Sequence, residues 1–175
     1  DLAKEVIEVY PDRFRDYWLS GMRRKLGLFT SESEDETLIQ SLLDNMQENE
    51  ADFTLTFRRL CDAALDPEME GSLRYLFKDA GAYDKWATNW RDRLSREVKA
   101  PDERVELMRQ VNPAVIPRNH RVEQALEAAV EQVDYGPFEK LLQVLSSPYV
   151  EPDEHKEYML PPKPEEHVLQ TFCGT

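Results

Sequence analysis

Apolar residues in this chain recur at spacings of three and four and nowhere alternate at two. Phe14, Trp18, Met22 and Leu26 fall four apart, and Tyr83, Trp86, Ala87, Trp90 and Leu94 repeat the three-and-four spacing. An α-helix turns once in 3.6 residues, so this spacing lays one apolar stripe along a helix, whereas a half-buried strand requires alternation. The chain is therefore expected to be all-α.

Start and stop signals divide it into about eight helices in an irregular bundle. Leu2, Val6 and Val9 share a face of a short first helix ending at Tyr10. Pro11 and Asp12 suit the first turn of a second, which Gly27 ends. Ser33-Glu34-Asp35-Glu36 has the capping-box pattern and should start a helix with Leu38, Ile39, Leu42, Leu43 and Met46 inward. Asp52 is placed to cap the next, with Phe53, Phe57, Leu60, Cys61 and Ala64 on one face, and Asp66-Pro67 breaks it. Met69 to Ala80 reads as a short helix stopped by Gly81, and the Tyr83 stripe runs to about Val98. Pro101 opens a helix through Val105 and Met108. Val122, Leu126, Ala129 and Val133 mark another, and Phe138, Leu141, Leu142 and Leu145 the last, closed by Pro148. The expected core draws on Phe14, Trp18, Leu42, Phe57, Leu60, Trp86, Trp90, Leu126 and Leu142.

One connector differs in kind. Asn112-Pro113-Ala114-Val115-Ile116-Pro117-Arg118-Asn119-His120 lies between two helical patterns. Its prolines remove two donors and push Asn112 and Ile116 towards extended geometry. Val115 and Ile116 are available for burial, and Asn119 is a candidate N-cap. Beyond residue 147 the stripes stop. Five of the eleven prolines lie at 148, 152, 161, 162 and 164. Residues 148–175 are expected to form an extended surface tail, with Tyr149, Tyr158, Met159 and Leu160 as anchors, against a helical region at 1–147.

A chain of 175 residues is one domain or part of one, and can bury roughly 70% of its unfolded surface. The net charge of −13 argues against a nucleic-acid partner, which needs a basic stripe, and against an anionic membrane. No apolar run has the length of a membrane span. The sequence begins Asp1-Leu2-Ala3 without Met, so a longer parent is expected. Two cysteines do not build a disulfide framework and fit a reducing compartment.

Several motifs imitate chemistry. Asp66-Pro67-Glu68-Met69-Glu70-Gly71 resembles half of an EF-hand loop, but the twelfth position, which should be a bidentate carboxylate, is Phe77. Asp134-Tyr135-Gly136 invites comparison with the kinase metal-binding motif but lacks an upstream catalytic loop. His120, His155 and His167 have no metal-type spacing. His120 reads as a hydrogen-bonding residue near a helix start, and the other two as solvated. Cys61, on an apolar helical face, reads as buried and inert. Cys173, in Thr171-Phe172-Cys173-Gly174-Thr175, reads as an accessible thiol.

A set of short pieces, in order along nearly the whole chain, resembles the selenoprotein O family. They are Lys25-Leu26-Gly27-Leu28; Asp52-Phe53-Thr54 with Phe57-Arg58-Arg59-Leu60; Trp90-Arg91-Asp92-Arg93-Leu94; Asn112-Pro113 to Asn119-His120; Phe138 to Leu142; Pro148-Tyr149; and Cys173-Gly174-Thr175. The family comprises bacterial and mitochondrial pseudokinases that act as protein adenylyltransferases, moving AMP from ATP onto Ser, Thr or Tyr of client proteins. The resemblance covers only the family's C-terminal region. It implies that ATP and Mg2+ are bound by an N-terminal kinase-like core, which is this region's partner. No catalytic, nucleotide or metal ligand carries over to this chain, and no cofactor is expected in it. The transferable position is Cys173, which stands where some members carry selenocysteine. In the family that residue is a redox group able to pair with a cysteine of the kinase-like core. The resemblance places bacterial members in the cytoplasm and eukaryotic ones in mitochondria. Read without the resemblance, the amphipathic helices fit a non-enzymatic interaction module, and the sequence upstream of Asp1 distinguishes the two.

Overall fold

The structure, a computed structural model, describes residues 2–168 and 170. Eight α-helices and no strand occur among them: α1 (Leu2–Lys25), α2 (Asp35–Glu48), α3 (Phe53–Leu65), α4 (Gly71–Arg74), α5 (Ala80–Ser95), α6 (Pro101–Arg109), α7 (Asn119–Glu131) and α8 (Gly136–Leu145). The all-α expectation holds. The chain forms two compact units, Asp1–Asn112 and Pro113–Thr175.

In the first unit α2 packs on α5, α3 on α6, and the end of α1 on α2 and α6. Tyr83 and Trp90 are fully buried, and Phe57, Leu26, Ile39, Leu42, Leu60 and Met108 surround them. Phe77, Tyr83, Trp86 and Trp90 form a ladder of rings with centroids 5.3, 6.2 and 5.5 Å apart, within the range where aromatic pairs attract. Each indole also finds an acceptor. Trp90 Nε1 donates to Leu26 O and Trp86 Nε1 to Leu38 O, both at 2.9 Å, so neither buried N–H is left unsatisfied. Gly27 ends α1 with φ +75°, and a Cβ there would lie 2.7 Å from Met108 Sδ. Both the backbone conformation and the close approach of α6 require glycine.

Helix α1 corrects the expected break at Pro11. It runs unbroken from Leu2 to Lys25 with Pro11 inside. Proline removes one hydrogen bond, but its φ is itself helical. The stripe through Phe14 also lacks a partner at its first residue. Phe14 is 58% exposed, whereas Leu19, Met22 and Leu26 are buried and Trp18 packs against the core from its edge. Helix α1 meets α2 and α6 only over its last three turns, from Arg15 on; spacing reports which residues share a face, not whether anything covers it.

Other boundaries shift for identifiable reasons. Glu34, not Ser33, precedes α2, with no side-chain cap. The expected helix to Ala80 is instead a 3-10 turn (Pro67–Glu70) and the short α4. Gly81 does not stop it but lies in the first turn of α5, where Gly81 N donates to Asp79 Oδ1 at 2.8 Å. The cap at Asp52 holds, accepting from Leu55 N at 2.8 Å. Phe53, expected inward, is half-exposed.

In the second unit α7 packs on α8. The connector is extended and tied down: Ala114 N and Val115 N both donate to Pro148 O, at 2.8 and 3.1 Å. Ala114, Val115, Ala125, Leu141, Tyr158 and Met159 form a small core. The tail anchors by Tyr158 and Met159 in a 3-10 turn (Lys156–Met159), while Tyr149 and Leu160 remain half-exposed. The inward faces of α7 and α8 differ from expectation. Leu126, Leu142, Phe138 and Val133 are exposed, and Ala125, Ala128 and Leu141 are buried. The small alanines admit close helix approach, and the larger residues one position away lie outside it.

Candidate functional site

The motifs that imitate chemistry resolve into local structure. Asp66 Oδ1 accepts from Glu68 N at 2.9 Å and opens a 3-10 turn, so its carboxylate satisfies backbone rather than calcium. Asp134 Oδ1 accepts from Gly136 N at 2.9 Å at the start of α8, which is a turn bond of the Asx type. His155 takes a left-handed conformation, φ 64°, and meets the Tyr158 ring edge-on. Among the described residues no group of three His, Cys, Asp or Glu could hold a metal ion.

Asn112, where the connector begins, is the hub of a buried polar knot. Its Nδ2 donates to Lys25 O at 2.9 Å, and Lys25 Nζ donates back to its Oδ1 at 3.2 Å. Lys25 Nζ also donates to Val111 O at 2.9 Å and lies over the rings of Phe57 and Phe53. Arg58 Nη1 donates to Asn112 O at 3.2 Å. Burial lowers the Lys25 ammonium below the usual lysine range, so these acceptors and ring faces replace water around it.

Cys61 belongs to the same knot. It is fully buried; Sγ lies 3.4 Å from Phe57 O and 3.5 Å from Asn112 Nδ2. Burial pushes its thiol up, with the Asn112 bond only partly opposing. A thiol that is buried and kept protonated is neither accessible nor nucleophilic, as its place on an apolar face suggested. Cys173, the expected redox residue, lies outside the described residues.

A second cluster was not read from the sequence. Asp35 is fully buried at the start of α2. It accepts from Arg93 Nε at 2.7 Å, Arg23 Nε at 2.6 Å and Glu32 N at 2.9 Å. Burial alone would raise its carboxyl, but the bonds from Arg93, Glu32 N–H and Arg23 outweigh it, and the group is held below the usual carboxylate range. Arg93 also donates to Glu97 at 2.9 Å and to Thr30 O at 3.0 Å. The signal was present: Arg93 follows Trp86 and Trp90 at helical spacing, so a charge stood on the buried face of α5. A cleft of about 520 Å³ opens beside the pair, with Ser41, Asn89 and Arg96 among its lining. Arg96 there is paired with Glu32 and Asp92, so the cleft's charges are mutually neutralised and offer no cradle for a phosphate.

In the second unit, a cavity of about 290 Å³ forms where the connector enters α7. Arg118, His120, Glu166 and His167 are among its lining. Arg118, rather than Asn119, is the cap residue, and no side chain caps the end. His120 is 4% exposed and its Nε2 has no hydrogen-bond partner among the described residues.

The chain matches the family model described as protein adenylyltransferase SelO over residues 1–146. It is 50% identical over 175 residues to a protein of Rhodopseudomonas palustris named protein nucleotidyltransferase YdiU. It is 51% identical over 175 residues to proteins of the same name from Rhizobium rhizogenes and Rhizobium meliloti. In each case the whole chain is covered, but only 35–36% of the relative. The chain thus spans about a third of the length of these relatives. With its ordered short motifs, its all-helical fold and a match over most of its length, the chain belongs to the protein adenylyltransferase SelO family.

Proposed function

We propose that this chain is the helical C-terminal region of a protein adenylyltransferase, which moves AMP from ATP to Ser, Thr or Tyr of client proteins. The observation that carries the reading is the family match over residues 1–146, together with relatives named protein nucleotidyltransferase. ATP and Mg2+ belong in this reading to a kinase-like core outside the chain. The described residues do not fit the metal: no three His, Cys, Asp or Glu side chains among them converge. No step of the transfer is therefore assigned to a residue of this chain.

Its role in the parent is to buttress that core and to carry a redox-sensitive tail. Ile7, Tyr10, Phe14 and Tyr17 recur along α1 and are 58–79% exposed. Tyr10 and Phe14 stack at 6.2 Å. A ridge of large apolar side chains in contact with one another supports a packing surface, and we assign it to the kinase-like core. Residues 148–175 would bring Cys173 to that core. We assign the parent to the bacterial cytoplasm, as the family resemblance implies; the relatives are bacterial proteins, and no helix among the described residues is long and apolar enough to cross a membrane.

The test is co-purification of the chain with the remaining two thirds of the parent expressed separately. Capture by the wild-type chain and loss with Phe14→Ser plus Tyr17→Ser supports the role. Capture unaffected by the pair of substitutions would remove the ridge from it, and no capture by either would favour an independent interaction module.

A further inference from the structure

The cavity at the start of α7 has a different use, independent of the adenylyltransferase reading. Its main feature is an unmade hydrogen bond. His120 is 96% buried, taken from its 4% exposure, and Nε2 has no partner. A buried polar atom left unpaired costs about 1–3 kcal/mol, so its retention calls for a group that supplies the bond. A second feature is the helix end itself. Helix α7 has 13 residues and no side-chain cap; Arg121 N and Val122 N already donate to Arg118 O, so the amides ahead of them and the positive end of the dipole open here.

The charged groups beside the cavity are already engaged. The guanidinium of Arg118 is fixed on Met159 O at 2.9 Å and that of Arg121 on Glu157 O at 3.2 Å. The carboxylate in the lining is Glu166, which already accepts from Lys163 N at 2.9 Å and Gln124 Nε2 at 3.3 Å. One guanidinium and one carboxylate thus stand in the lining. We propose that the cavity binds a small oxyanion of the phosphate class, with His120 Nε2–H as a buried donor and the first turn of α7 as its cradle.

The titratable and charged groups around His120 set the pH behaviour. Burial, Arg121, Arg118 and His167 push the imidazole down, and Glu166 pushes it up; the net direction is down. At neutral pH it is therefore uncharged and donates through one nitrogen. An anion in the cavity favours the imidazolium, so binding strengthens as pH falls towards the imidazole's own pKa.

The test uses 15N-resolved imidazole spectra of the 175-residue chain. Sodium phosphate is titrated at pH 7 against sodium chloride of equal ionic strength, with a parallel arm of O-phosphoserine. The expected result is a saturable shift of the His120 resonances by phosphate, not by chloride, with His155 unmoved. Equal response to the two phosphate compounds identifies a free ion as sufficient, and tighter binding of phosphoserine identifies a phosphorylated side chain. His120→Gln keeps a donor near the Nε2 position and should retain binding, whereas His120→Leu should weaken it about tenfold, the loss of one hydrogen bond to an anion. Glu166→Gln keeps one acceptor oxygen for the two donors, removes the opposing charge and should tighten binding. A shift that does not saturate, a chloride response equal to that of phosphate, or a Glu166→Gln chain that binds more weakly would overturn the proposal. Glu166 lies at the cavity's edge outside the small core, so this last arm stands even where His120→Leu fails to fold.

Discussion

Lys25 and Asn112, 87 residues apart in sequence, hydrogen-bond in both directions: the amide nitrogen of Asn112 donates to the Lys25 carbonyl, and the Lys25 ammonium donates to the amide oxygen. The pair closes the first unit by joining the end of α1 to the third residue after α6. The last carbonyls of a helix have no partner within it, and Asn112 supplies one. Replacing Asn112 by Ala should leave Lys25 O, Lys25 Nζ and Cys61 short of a partner at once. We expect a loss of about 2–4 kcal/mol in urea unfolding, since several buried groups lose bonds together. Lys25→Met, which keeps the stem and the ring contacts, should cost less than Asn112→Ala.

The Asp35–Arg93 pair ties part of the acid stability to a buried carboxyl. Asp35 has a folded pKa below its unfolded one. Its contribution is therefore complete above about pH 4, the unfolded value, and is lost as pH falls through the lower folded pKa. Asp35→Asn should destabilise the chain by about 1–3 kcal/mol at pH 7, because the buried bonds from Arg93 and Arg23 lose their charged acceptor while Glu97 still pairs Arg93. The difference from wild type should shrink steadily below pH 4. Urea midpoints measured from pH 7 to pH 2.5 check both parts; a constant difference would place the acid sensitivity elsewhere.

Cys61 should resist alkylation in the native chain and react once urea unfolds it, because reaction requires exposure of a thiol that is buried and pushed up. Peptide mapping after a short pulse of alkylating reagent should therefore find label on Cys173 well before Cys61. Equal rates, or Cys61 first, contradict the assignment of Cys173 as the functional thiol.

The α1 ridge should be silent in the chain alone. Phe14→Ser and Tyr17→Ser remove residues that are 58% and 79% exposed, and changes at exposed positions usually alter stability by within about 0.5 kcal/mol. Thermal unfolding checks this. A large loss would mean that the ridge packs within the chain and is not an interface.

The parts of this structure that could be read from sequence share one property: they depend on local spacing. The Trp86 and Trp90 stripe, the Asp52 cap, Gly27 as a helix end and Pro101 as a helix start depend on residues within two turns of one another. What could not be read depends on partners distant in sequence. Phe14 and Leu126 sit on correct helical stripes, yet no helix covers them, and spacing carries no information on cover. Asp35 imitates a helix-start residue locally, but its partner Arg93 is 58 positions away. His120 was placed near the helix start; that its Nε2 would be buried without a partner depended on residues 162–168 folding back beside it. The family resemblance crossed this limit because ordered short motifs encode a fold that local spacing does not.

The most direct measurement is AMP transfer with and without this chain. The parent protein, its kinase-like core lacking this region, and the 175-residue chain are each incubated with labelled ATP, magnesium and a protein substrate. The account predicts label from the parent, less or none from the core alone, partial recovery when the chain is added back, and none from the chain by itself. Transfer by the chain alone, or full transfer by the core without it, would contradict the account.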